Sequence, residues 1–209
     1  MRRAMISILL ATGLNLVAVG NDMDQEEFES AAYTALTNKE FLLGTLFSNK
    51  LDVAESSSAL NVRVDSALMK GVRARQMFFE SADSEFLDTE MAFLSNAVSL
   101  TSFMTNNWRK YIASLMYAGC HATVNSFDYS YGIITNTMAV ADDEGFNGTT
   151  NQMCMRILSK FQMTGLSVNS ALNLMAGMSA AELGMGNVAT NYANQLPATY
   201  RNMIFDFMR

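Results

Sequence analysis

Trp108-Arg109-Lys110-Tyr111-Ile112-Ala113-Ser114-Leu115-Met116-Tyr117-Ala118-Gly119-Cys120-His121-Ala122-Thr123 is the stretch that decides the fold. Trp108, Tyr111, Ile112, Leu115, Met116, Gly119, Cys120 and Thr123 recur at three- and four-residue spacing, which puts them on one face of an α-helix. Gly119 leaves room on that face for a neighbouring helix. A strand would need strict alternation, and the stretch has none.

The same period extends in both directions. A helix is expected from about Asp24 to Leu36, with Glu26 and Glu27 at its positive end. Thr37-Asn38-Lys39-Glu40 reads as a capping box opening a short second helix. Residues 52–80 read as one long helix, with Leu60, Val64, Ala67 or Leu68, Gly71 and Phe78 inside, Arg63 mostly elsewhere, and Lys70, Arg73 and Arg75 on a solvated face. Ser84 is the expected cap of a helix showing Leu87, Met91, Leu94 and Val98 and running to about Met104. Asn106 or Asn107 is the expected cap before Trp108.

Phe127 to Gly132 reads as an aromatic turn. Ile133 to Val140 has strand-like composition, but a lone strand lacks a partner, so helix is preferred. A further helix is expected from Thr150 or Asn151, with Met153, Cys154, Ile157, Leu158 and Phe161 inward. Gly165 marks a break, and Val168, Leu172, Met175 and Ala176 resume the period. Ser179-Ala180-Ala181-Glu182 reads as a second capping box, for a helix to about Asn194. Pro197 is expected at the first position of the last helix. One proline in 209 residues suits helices joined by short loops. The expected fold is therefore all-α: a single globular domain or bundle of seven to nine helices.

The start of the chain carries an address. Arg2 and Arg3 precede an apolar run from Ala4 to Val17, and Ala18-Val19-Gly20 places small residues where a peptidase cuts. This is the layout of a signal peptide over residues 1–20, cleaved before Asn21 and leaving a helical domain over 21–209. The run is short for a membrane span and is interrupted by Ser7, Thr12 and Asn15. A buried helix is the rival reading. Cleavage would take the formal charge from −6 to −8, since Arg2 and Arg3 leave and no acid does. A chain this acidic, without a basic stripe, is a poor nucleic-acid binder.

Export sets the reading of the other motifs. Cys120 and Cys154, the two cysteines, are expected to form a disulfide, closing a loop of about 35 residues worth roughly 3–4 kcal/mol in the chain-entropy model. The rival is a pair of buried thiols. Asn147-Gly148-Thr149 is a glycosylation sequon within the loop-like acidic segment 142–148, which lacks the alternating acids of a calcium loop.

Catalytic signatures do not emerge, and no catalytic or metal-ligating residue is assigned. His121 is the sole histidine, too few for histidine-based zinc or di-iron sites. Its helical neighbour Cys120 points about 100° away. Glycine-rich phosphate loops are missing. The seventeen methionines, with Met175 and Met178 on one helix face, suit Cu(I) chemically, but core filling is the preferred reading. No cofactor is implied.

The expectation is a secreted, non-enzymatic binding or interaction protein. Its Met- and aromatic-rich interior would hold a lipophilic ligand near Trp108, Tyr111, Met116, Phe161, Met175 and Tyr192, or an exposed face would engage a protein partner. The alternative is a structural subunit of a virion or other homo-oligomeric assembly.

Overall fold

The computed structural model describes residues 23–104, 108–139 and 152–209. Residues 1–20, the cap at Asn106 or Asn107, the sequon at Asn147 and the helix start at Thr150 or Asn151 lie outside them. The described residues fold into helices joined by short loops, without a strand. They form α1 (Gln25–Thr37), α2 (Lys39–Leu43), α3 (Thr45–Glu55), α4 (Leu60–Ser81), α5 (Glu85–Thr101), α6 (Trp108–Thr123), α7 (Phe127–Ala139), α8 (Gln152–Lys160), α9 (Val168–Glu182), α10 (Gly186–Ala193) and α11 (Ala198–Phe207).

Eleven helices exceed the expected seven to nine, for local reasons. Gly44 is extended and separates α2 from α3. The expected long helix over 52–80 breaks where the Ala59 amide donates to Ser57 Oγ at 3.2 Å. Short hydroxyl side chains compete with the helix ladder in this way. Conversely, Phe127 to Gly132 is the first half of α7, not a turn. Ser179 lies inside α9 and caps nothing. That helix runs on to a left-handed Gly184 (φ +72°), where the Met185 amide returns to Ala180 O at 2.9 Å.

Cap bonds also differ from expectation. Asn38, not Thr37, accepts the Phe41 amide at 3.2 Å. Ser84 is the N-cap of α5 as expected, but its side chain makes no cap bond, and Asp83 accepts the Glu85 amide at 3.0 Å. Pro197 is the N-cap of α11 rather than its first residue. Ser167 caps α9 through the Ser170 amide.

α6 and α9 are the central helices. α6 buries Tyr111 to Met116 without interruption, and α9 buries Ala171 to Gly177. Helices apolar on most sides belong inside a core. α6 packs against α5, α7 and α9; α9 packs against α7, α10 and α11; α4 and α5 form a close pair. A Cβ added to Gly71 of α4 would meet Leu94 Cδ2 at 2.6 Å and Cγ at 2.9 Å, so this glycine sets the α4–α5 approach.

Lys70, Arg73 and Arg75 do not occupy a solvated face, contrary to the sequence reading. Lys70 reaches Asp52 at 2.9 Å and Glu55 at 2.7 Å. Arg73 donates to Leu43 O, and Arg75 is buried. A second buried cation, Arg109 of α6, meets Asp65 of α4 through two 2.7 Å bonds and Glu29 of α1 through one of 2.9 Å. Burial outweighs the Arg109 bonds and pushes the Asp65 carboxyl up to about 6.

The Cys120–Cys154 disulfide is not formed. Both cysteines are buried but not within bonding distance. Cys120 turns from α6 towards Arg75, whose Nη2 lies 3.8 Å from its Sγ. Cys154 is committed to the buried face of α8.

Gly71→Ala forces Leu94 to move and is expected to cost about 1–3 kcal/mol in chemical denaturation. Gly132→Ala in α7, where an added Cβ meets nothing within 4 Å, is expected to stabilise by about 0.5–1 kcal/mol.

Candidate functional site

A cavity of about 330 Å³ opens where six segments meet. The end of α4 supplies Arg75 and Phe79. The end of α6 supplies Gly119, Ala122 and Thr123, and α7 supplies Phe127. The segment leaving α8 supplies Lys160, Phe161, Gln162 and Met163. α9 contributes Leu174, Met175, Met178 and Ser179, and α11 contributes Met203 and Phe207.

Local chain geometry explains the opening. α8 stops at Lys160, and Gln162 takes a left-handed conformation (φ +61°) while the Met163 amide returns to Leu158 O at 3.0 Å. That hairpin turns Phe161 and Met163 towards the cavity and keeps Gln162 exposed. Gly119 forms part of the wall because it has no side chain: a Cβ there would stand 3.6 Å from Met175 Cε. At the mouth, Phe79 is 57% exposed and Phe207 43%.

The polar groups of the lining are mostly committed to protein partners. Arg75 Nε donates to Glu90 Oε1 at 3.0 Å. Glu90 Oε2 is nearer, at 2.8 Å, but has no donor in line. Arg75 Nη1 donates to Thr123 Oγ1 at 3.0 Å, and its guanidinium lies 5.5 Å from the Phe161 ring centre. Burial raises the Glu90 carboxyl above its usual range, against the pull of Arg75. Ser179 donates to Ser130 Oγ at 3.0 Å. Lys160 makes no ion pair among the described residues.

Two of the six residues named from sequence, Phe161 and Met175, line this cavity. The other four stand elsewhere. Tyr111 and Met116 are core residues of α6. Trp108 is half-buried beneath the Arg109 guanidinium, 4.7 Å from its ring centre. Tyr192 belongs to α10, where its Cβ comes close to Gly177 of α9. Sequence reasoning missed Met163, Met178 and Met203 as one cluster. Only the Met175/Met178 spacing signalled it, because the other two arrive from separate elements.

His121 packs edge-on to Tyr117 at 4.8 Å and stacks on Tyr129 at 5.4 Å. Desolvation lowers its pKa, and Asp128 opposes that shift. Among the described residues, no group of three His, Cys, Asp or Glu side chains is placed to hold a metal ion. No helix there is long and apolar enough to cross a membrane. Comparison with protein-family models, curated proteins and solved structures finds no match to this chain.

Burial pushes the Cys154 thiol up to about 12 and raises Cys120 further, with Glu90 adding to the latter. Neither forms appreciable thiolate at neutral pH. Iodoacetamide at pH 7.5 is therefore expected to leave the folded protein unmodified and to add two carbamidomethyl groups after denaturation, read by intact mass.

Proposed function

We propose that this chain is an exported, non-enzymatic binding protein that holds a lipophilic ligand in the cavity between α4, α6, α9 and α11. The observation that carries this reading is the lining itself: four methionines and four phenylalanines converge from four helices and the segment after α8 on one open space. A well-packed core fills such a space. At about 330 Å³ the cavity falls at the small end of the ligand-pocket range, about 300–1,000 Å³. Flexible thioethers adapt to apolar ligands of varied shape. Arg75 and Ser179 already have protein partners, so they suit fixing the wall better than attacking a substrate.

Nile red, a neutral apolar dye, tests the reading. Its fluorescence is expected to rise saturably at one dye per chain. Gly119→Leu, which builds a side chain towards Met175, is expected to weaken dye binding about tenfold, the scale for losing a few buried methylenes, with helical circular dichroism unchanged. Absence of saturable binding, together with a mass that grows with concentration in light scattering, would favour the homo-oligomeric subunit instead.

Export rests on the layout of residues 1–20. The unbridged cysteines do not add to it, because buried thiols are equally at home in a reducing compartment. Intact mass of the protein from its native source is expected to show a chain beginning at Asn21. A chain that keeps Ala4 to Val17 would overturn export.

A further inference from the structure

The cavity lining is apolar, but its charge is one-sided. It holds two cations, Arg75 and Lys160, and no carboxylate. The chain as a whole has twenty acids against fourteen Lys and Arg. A lining without acids is thus the reverse of the molecule's average. The two cations also differ in availability. Arg75 is almost fully buried and is held by Glu90, which is itself excluded from solvent and does not line the cavity. Lys160 is half-buried at the end of α8 and makes no ion pair among the described residues. Beside it run Phe161 and Met163, which lead into the thioether wall of Met175 and Met178. A cation and an apolar, thioether-rich lining therefore share one opening.

The cavity of about 180 Å³ beside Lys70 has two cations, of which Lys70 is paired with Asp52 and Glu55 and Arg73 donates to Leu43 O. In the Tyr117–His121–Tyr129 stack the His121 ring is already engaged by both tyrosines.

We infer that the occupant of the Met/Phe-lined cavity is a single-chain amphiphile with an anionic head, its tail along Phe161, Met163, Met175 and Met178 and its head at Lys160. This rests on the ligand-binding reading above and adds to it the sign of the head group. A neutral tail of the same length gains the same apolar burial but forgoes the charge-assisted contact. A cationic head meets Lys160 with like charge.

Isothermal titration of the full chain with dodecanoate, dodecanol and dodecyltrimethylammonium, each below its micelle concentration, separates the possibilities. Dodecanoate is expected to bind about tenfold more tightly than dodecanol, with the ammonium weakest, the margin expected of a charge-assisted bond. The margin should shrink as salt rises. Lys160→Met, which keeps an apolar chain of similar length, should abolish it, and Lys160→Arg should retain it. Equal binding of the three probes, or a dodecanoate preference that survives Lys160→Met, overturns the inference while leaving a lipophilic cavity standing. Failure of all three probes to bind overturns both.

Discussion

The structure depends on two guanidinium groups that α4 and α6 bury between them. Arg109 at the start of α6 meets Asp65 of α4 and Glu29 of α1. Arg75 near the end of α4 meets Glu90 of α5 and Thr123 at the end of α6. Each arginine therefore joins three helices, one at either end of α6. Breaking a buried pair by removing one partner typically costs about 3–5 kcal/mol, because a charge is left without its complement. Both arginines also tie α6 to its neighbours by directional bonds, Arg109 near its start and Arg75, through Thr123, at its end.

That constraint has a consequence for the cavity. Arg75 is held flat against Glu90 and beside the Phe161 ring, so it becomes part of the wall. With α4 and α6 registered by their charges, α9 and α11 approach from the other side at a separation set partly by glycine. A Cβ on Gly177 would strike Ile204 of α11, at 2.3 Å from Cδ1. The helices are thus drawn tight at Gly177, and Met175, Met178 and Met203, each within two residues of Gly177 or Ile204, line the opening beside that contact. The α8–α9 connection covers one flank, and its left-handed turn at Gln162 presents Lys160 and Phe161 to the space.

Much of the helical content was legible because it depends on periodicity. Leu60, Val64, Leu68 and Gly71 repeat as α4 requires, and Val168, Leu172, Met175 and Ala176 repeat as α9 requires. Helix ends were less legible because several residues competed for each cap. Thr37 and Asn38 are both good caps; Asn38 prevails while Thr37 bonds back to Tyr33 O. Ser179 looked like a start because Ser and Glu stand three apart. In the folded chain its hydroxyl instead bonds Ser130 on another helix, which no local rule contains. Lys70, Arg73 and Arg75 of α4 resembled a solvated face for the same reason: their partners lie on α2, α3, α5 and α6.

By itself the sequence determined that this chain forms amphipathic helices separated by short breaks, since apolar spacing and turn chemistry are local properties. It also carried the acidic balance and the leader-like layout of residues 1–20. Tertiary structure alone decided which charges are buried, that Cys120 and Cys154 remain apart, and that Met163, Met175, Met178 and Met203 share one cavity. These are relations between side chains on different helices and connections, and their distances exist only once the helices have packed.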